Sequence, residues 1–312
     1  MQTIVIAGGT GLIGTALSKK LLEQGYKVIL LSRSAPTGTG TFENSGGIIK
    51  AYWNPAEQHI HQKCIEQADC IINLAGAGVA DKRWTSKRKN EIAESRVMSG
   101  KLIVKALKEI PNKVQLVINS SGIGWYGQDP EIPNNRPFTE ELPSSNDFLG
   151  ETCQRWEDSI APVTELGKRL VILRTAIVLS KDGGALREFL NPLRFGLATV
   201  LGGGKQIMSW IHIEDLCKMF LFAIEEKKIN GIYNATSPGH LPHKQFITQL
   251  ARKRNGNYYI KVPVPAFALK IVLGALSIEV LKSATVSPAK IESSGFNFHY
   301  PGIDDALQDL IR

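Results

Sequence analysis

Gly8, Gly11 and Gly14 recur at even spacing in the run Gly8-Gly9-Thr10-Gly11-Leu12-Ile13-Gly14, between an apolar segment that reads as a strand and an amphipathic one that reads as a helix. Glycine at such a junction permits a tight turn, lets backbone N–H groups approach a pyrophosphate and lets the helix pack close to the strand. The helix N-terminus adds free donors and a favourable dipole. The loop, Thr10, Leu12 and Ile13 included, is thus a candidate phosphate cradle, with a plain strand-to-helix turn as the bland alternative. Dinucleotide-binding folds of this kind carry an acid at the end of the second strand, where it accepts bonds from the adenosine ribose. Here that place holds Ser32-Arg33. A guanidinium cannot accept those bonds, but it can clamp a 2′-phosphate through two charge-assisted contacts, and the serine can add a donor. These residues predict NADP(H) over NAD(H), against the alternative of a solvated arginine at a strand end.

Such a loop needs strands and helices in alternation, and residues 1–120 supply them. Thr3–Ala7 reads as a buried strand, 12–24 as a helix stopped by Gly25, and 27–31 as a second strand. Further strands are expected at 70–74 and 115–119, separated by a long polar helix over about 86–108 that ends before Pro111. The predicted fold class is α/β, a doubly wound parallel sheet of Rossmann type. Residues 122–147 are rich in Pro, Gly, Asn and acids and read as a long functional loop, before a helix over 149–161 and a strand over 169–174. Beyond Ser180, two glycine clusters bracket 185–201, and no regularly spaced strands are legible after them. A smaller, mostly helical C-terminal region is therefore expected over 181–312, beside a cofactor-binding domain over 1–180 that gains sheet-edge contributions from about 205–236.

The 312 residues carry 37 Lys+Arg against 29 Asp+Glu, a net charge of +8, with 43% hydrophobic and 21% charged positions. That balance excludes a disordered chain. The basic residues read as scattered and mostly answered by nearby acids, so neither nucleic acid nor a membrane is an expected partner, whereas a phosphate-bearing small molecule is. Cys64, Cys70, Cys153 and Cys217 have neither metal-ligand spacing nor the density of a disulfide framework. No metal is expected, and the setting is read as reducing and cytoplasmic. The start of the chain lacks a signal-peptide pattern. The longest apolar run, 267–281, is broken by Lys270, Gly274 and Glu279 and falls short of the roughly 18 residues of a bilayer span, so it reads as a packed helix. A monomer or homodimer is expected.

With the glycine loop in place, the chain resembles the extended short-chain dehydrogenase/reductase superfamily, and within it the NADP-binding, epimerase-like family that carries its own C-terminal segment, here from about 262. The blocks that carry the likeness are Asn73-Leu74-Ala75-Gly76, Glu91 to Arg96, Ser120-Ser121-Gly122-Ile123-Gly124-Trp125-Tyr126-Gly127, Arg174-Thr175-Ala176-Ile177-Val178 and Trp210-Ile211-His212-Ile213-Glu214-Asp215-Leu216. The resemblance implies that Asn73, Leu74, Ala75 and Gly76 belong to the cofactor site, with Leu74 and Ala75 passing under the cofactor. It also implies that Glu91 and Arg96 face it from a helix and that Val178 lies near the nicotinamide. Read from charge alone, Arg96 is equally a residue of a solvated basic helix face.

Members of that superfamily use a tyrosine acid/base and a lysine four residues on, because an unperturbed phenol near pKa ~10 is a poor base at neutral pH. The residues four positions after Tyr26, Tyr52, Tyr126, Tyr233, Tyr258, Tyr259 and Tyr300 are Leu30, Ala56, Pro130, Ser237, Val262, Pro263 and Asp304, and none is lysine. Aligning the helix through Glu157 puts Leu149 and Cys153 in the pair's places. Ser121 keeps the serine's place and Tyr126 could supply a phenol, so both are candidate catalytic residues. Tyr126 could equally anchor the loop with Trp125, and Cys153 could be an inert helix cysteine. The leading expectation is an NADP(H)-dependent, epimerase-like oxidoreductase acting on a carbonyl or carbinol substrate. The alternative is a non-catalytic NADP(H)-binding redox sensor or scaffold.

Overall fold

Thr3-Ile4-Val5-Ile6-Ala7 has no polar face to offer water, and the structure, a computed structural model describing residues 2–34, 43–45 and 47–311, buries the whole strand at the centre of a sheet. The elements run β1 (Thr3–Ala7), α1 (Leu12–Glu23), β2 (Lys27–Ser32), β3 (Glu43–Ser45), β4 (Ile48–Asn54), β5 (His59–Ile60), α2 (Gln62–Gln67), β6 (Cys70–Asn73), α3 (Ser86–Glu109), β7 (Leu116–Gly122), α4 (Phe148–Ile160), β8 (Arg169–Thr175) and β9 (Ile177–Leu179). Then come α5 (Ala185–Leu193), β10 (Leu197–Leu201), β11 (Ile207–Met208), β12 (Trp210–His212), α6 (Ile213–Glu225), β13 (Gly231–Ala235), β14 (Leu241–Pro242), α7 (His243–Asn255), β15 (Ile260–Val264), α8 (Ala266–Leu273), α9 (Ser277–Leu281), α10 (Ala289–Ser293) and α11 (Ile303–Leu310).

The main sheet is ordered β13-β8-β7-β6-β1-β2-β4-β3, parallel from β13 to β4, with β3 and β5 each antiparallel to β4. From β1 the chain moves to β2 on one side and later returns to β6 on the other. In doubly wound sheets a crevice opens at the carboxyl ends where the order reverses in this way. Successive β1 side chains point to opposite faces. Ile4 and Ile6 share a core with Leu17, Leu21, Leu216 and Phe220, while Val5 and Ala7 share the other with Ile103 and Leu107.

A third core, with Leu186, Trp210, Phe246, Leu250 and Leu307, lies under the C-terminal helices. That region is mostly helical, but it also holds short strand pairs that sequence patterning did not reveal: β10 with β15, β11 with β14, and β12 with β9. Two to five residues per strand are too few for an alternation to show. The run 267–281 is split by a turn into α8 and α9. Leu269 and Leu276 are buried as a packed helix requires, yet Phe267, Ile271, Val272 and Ile278 are exposed. Among the described residues no helix is long and apolar enough to cross a membrane.

Candidate functional site

A cleft of about 870 Å³ opens at the carboxyl ends of β1, β2, β4 and β6. Gly8, Thr10 and Gly11 line it after β1, Ser32, Arg33 and Ser34 at the end of β2, Trp53 to Ala56 at the end of β4, and Leu74, Ala75 and Gly76 after β6. Glu91, Glu94, Ser95 and Met98 of α3 close one wall. The three glycines differ in what they do. At Gly8, with φ +77°, a Cβ would lie 2.7 Å from the Leu74 carbonyl, so the two strand ends approach through it. At Gly14 a Cβ would lie 2.5 Å from the Gly9 Cα, which keeps α1 against the loop. At Gly11 a Cβ would meet only the Gly8 carbonyl oxygen at 3.5 Å, so the space beside it is open. Gly11 is also the N-cap of α1 and supplies no side-chain acceptor, which leaves first-turn N–H groups for a ligand at the cleft.

Arg33 is exposed at this cleft and, among the described residues, makes no ion pair. Beside it the Ser32 hydroxyl lies 2.9 Å from that of Ser34 and accepts from the Ser34 N–H at 3.2 Å, a local turn that presents both hydroxyls. Glu91 pairs with Arg88 at 2.8 Å. Six of the cofactor candidates do not line the cleft: Leu12, Ile13, Gly14, Asn73, Arg96 and Val178. Asn73 is fully buried; its Nδ2 donates to Asn119 Oδ1 at 2.7 Å, and its Oδ1 accepts from the Ala75 N–H at 3.3 Å. It shapes the end of β6 from beneath. Arg96 donates to the carbonyls of Ala77 and Ile92 at 2.9 and 2.8 Å and lies 5.0 Å from the Trp156 ring, so it is neither a solvated face residue nor a lining residue. Burial pushes its guanidinium down. Ile13 and Val178 pack against the core. Sequence reading missed Trp53, Asn54, Pro55, Ala56, Ser95 and Met98. The usable signal was Pro55 directly after Asn54, the last residue of β4.

Ser121 and Tyr126 are brought together, but in a buried floor rather than on an open wall. Ser121 Oγ donates to Glu157 Oε1 at 2.7 Å; Arg174 holds the same carboxylate through Nε at 2.9 Å and Nη2 at 3.0 Å. Arg174 Nη1 reaches the Tyr126 hydroxyl and the Glu140 carbonyl, both at 3.2 Å, and Tyr126 donates to Asn234 Oδ1 at 2.7 Å. Glu140 in turn accepts from the Asn234 N–H at 2.8 Å. Arg174 also lies 3.6 Å from the Trp125 ring. Burial alone would push Arg174 down; the bonds and charge of Glu157 outweigh it and raise its pKa. Burial pushes the Tyr126 phenol up to about 12 despite Arg174, and the ring stacks on Phe138 at 5.2 Å. With 1% exposure and both hydroxyl functions engaged, Tyr126 anchors the loop in this structure, one of the two roles open to it. On α4, Leu149 faces Gly124 and the Cys153 Sγ lies 3.6 Å from the Gly122 carbonyl oxygen. Burial, with the Glu157 charge, pushes that thiol up to about 11, so it stays protonated.

The 122–147 loop over this floor is stitched to the C-terminal segment. Buried Asp129 accepts from Asn134 and Ser283 at 2.8 Å each and from the Thr285 hydroxyl and N–H at 2.8 and 3.0 Å. Phe138 bridges Val286, and Lys282 pairs at 2.7 Å with Asp147, whose other oxygen caps α4. Among the described residues no cluster of acids, histidines and cysteines could hold a metal ion.

Comparison with known proteins matches residues 4–236 to the NAD dependent epimerase/dehydratase family and residues 264–310 to a domain of unknown function, DUF1731. The chain is 33% identical to epimerase family protein SSP1921 of Staphylococcus saprophyticus, over all of both chains. It is similar to the crystal structure of human epimerase family protein SDR39U1 with NADPH, with a TM-score of 0.85 and 25% identity over 99% of each chain. It is also similar to a nucleoside-diphosphate sugar epimerase from Corynebacterium glutamicum, with a TM-score of 0.77 and 29% identity over 99% of this chain and 58% of that one. The family match takes in almost the entire sheet that opens the cleft, from β1 through β13, and the chain belongs to the NAD dependent epimerase/dehydratase family.

Proposed function

We propose that the chain binds NADP(H) in the cleft and acts as an epimerase-like oxidoreductase on a carbonyl or carbinol substrate. The observation that carries this reading is an exposed Arg33 without an ion pair among the described residues, on the same cleft as the open space at Gly11. Bound there, the cofactor supplies or accepts a hydride. The first-turn N–H groups of α1 would hold its pyrophosphate, Arg33 and Ser32 would clamp the 2′-phosphate, and Trp53, Pro55 and Met98 would offer an apolar wall to the adenine. Leu74, Ala75 and Gly76 run beneath it, held by Asn73. Ser121 acts from below as a positioning residue: its hydroxyl donates to Glu157, which fixes the end of β7 where the substrate would meet the cofactor. With Tyr126 sealed and Cys153 protonated, the proton of the reacting oxygen exchanges with water.

A second reading, a redox sensor without turnover, is favoured by Leu149 and Cys153 on α4, neither of which can lower a phenol's pKa or take its proton. Calorimetry with NADPH, NADP⁺ and NADH, followed by NADPH consumption against a panel of carbonyl compounds, separates the two. Tight NADPH binding with turnover supports the enzyme. Unequal affinities for NADP⁺ and NADPH with no turnover on any compound support the sensor, and NADH binding as tight as NADPH removes the assignment of Arg33.

A further inference from the structure

The excess charge is not scattered. Residues 227–278 hold eight Lys and Arg and no Asp or Glu, so this one stretch carries the whole net charge of +8, and the remaining 29 basic and 29 acidic residues balance to zero. The same stretch displays apolar side chains that the fold does not cover. Tyr258 is 88% exposed, Ile260 and Ile271 70% each and Phe267 69%. Basic and apolar groups alternate along one continuous piece of structure. The last turn of α7 ends in Arg252, Lys253 and Arg254, and β15 follows with Ile260 and Lys261 both exposed. On α8, Phe267, Lys270 and Ile271 stand at i, i+3 and i+4, which places the cation on the apolar face. Leu269 is the residue that α8 buries. Among the described residues β15 pairs only with β10, and Leu197, opposite Ile260, is exposed along with Phe195.

We propose that this face of α7, β15 and α8 docks the protein on the surface of an anionic lipid bilayer. The charge decides between possible occupants. A second copy meeting the first through the same patch would set five cations against five, and Lys261 and Pro263 on the β15 edge work against strand pairing. A nucleic acid would meet the cations but leave Ile260, Ile271 and Phe267 in water. An anionic bilayer takes both: phosphates meet Lys and Arg, and the exposed rings and aliphatic chains enter the headgroup boundary while Lys270 reaches back to the surface. This docking is independent of the assignment of the cofactor.

The full chain is floated with vesicles of phosphatidylcholine alone and of an equimolar mixture of phosphatidylcholine and phosphatidylglycerol. Binding is expected only to the mixture and is expected to fall as salt rises from about 0.1 M to about 0.5 M. Each cation removed is expected to weaken it about fivefold, so Lys261→Gln with Lys270→Gln weakens it roughly 25-fold. Lys19→Gln with Lys181→Gln, the same change in net charge at exposed positions outside the stretch, leaves it unchanged. Phe267→Ser with Ile271→Ser also lowers binding, and since both side chains are exposed the melting temperature stays put. The proposal is overturned by equal binding to both vesicles, by no binding, or by equal losses from the two lysine pairs. It is equally overturned by a dimer that Lys261→Gln with Lys270→Gln dissociates, or by capture of a single-stranded RNA oligonucleotide in preference to the anionic vesicles.

Discussion

Arg174→Met is the sharpest test of the claim that Ser121 and Tyr126 belong to a structural floor. Methionine keeps most of the aliphatic length of a side chain that is 1% exposed, but it removes the two bonds to Glu157, those to Tyr126 and Glu140, and the stacking on Trp125. The Glu157 carboxylate is left buried, with the Ser121 hydroxyl as its remaining side-chain donor. Breaking one side of a buried ion pair costs about 3–5 kcal/mol, because the orphaned charge cannot regain its water. In a chain of this size each ~1 kcal/mol moves the melting temperature by roughly 2–4 °C, so a fall of about 10 °C is expected. Arg174→Met combined with Glu157→Leu removes the orphan as well. It should recover at least half of the loss, about 2 kcal/mol relative to Arg174→Met alone, with recovery limited because Ser121 loses its acceptor. Denaturant melts of the wild type, both single variants and the double variant at neutral pH measure this cycle. NADPH calorimetry on the same proteins should show no change, since none of these side chains lines the cleft. A double variant as unstable as the sum of the singles refutes the buried-pair account, and loss of NADPH binding with an unmoved melting temperature refutes the separation of floor from cleft.

Gly11→Ala should fold, since φ −79° suits any residue and only the Gly8 carbonyl oxygen lies within reach, yet it should weaken NADPH binding by about tenfold or more by filling the cradle. Gly8→Ala should fail to accumulate as folded protein in expression trials, because its methyl would meet backbone at 2.7 Å in a left-handed conformation. Arg33→Ala should lower NADPH affinity about 10- to 100-fold in calorimetry and leave NADH unchanged, matching the ~1.5–3 kcal/mol of a charged hydrogen-bonding contact. His243 supplies a pH dependence: burial pushes it down to about 4 from an ordinary 6.5, and among the described residues no hydrogen-bond partner meets either ring nitrogen. The unfolded chain therefore takes up a proton that the folded chain refuses, and the stability held above pH 6.5 is lost by about 3 kcal/mol as pH falls towards 4. His243→Leu should flatten that slope in melts across the same range; an unchanged slope assigns the acid sensitivity elsewhere.

What the sequence made legible and what it hid divide along the distance over which each feature is written. The cradle is local: a strand, three glycines and a helix within Thr3–Glu23, followed by Arg33 at the end of the next strand, each with a conformational reason readable from residue type. The parallel sheet was legible for the same cause, because its long central strands are apolar on both faces. The floor is written across the chain. Ser121 meets Glu157 across 36 residues, Tyr126 meets Asn234 across 108 and Asp129 meets Thr285 across 156, and no one of these partners carries a local mark of the bond it makes. Ser121 is picked out because it keeps the place of the superfamily's serine, and Tyr126 because it could supply a phenol in the same loop. What decides whether they do chemistry is who else reaches them, and Arg174, which enters only through a block of the family resemblance, carries no local mark of the carboxylate and phenol it meets. The same logic explains the opposite error on charge. Judged pair by pair, basic residues look answered by neighbours, but an absence of acids over 227–278 is a property of the whole stretch. A residue's type limits the chemistry open to it; the fold selects by desolvation and by which distant donors and charges it brings within reach. That is why a cradle built from backbone can be read from one sequence, whereas a floor built from side chains cannot.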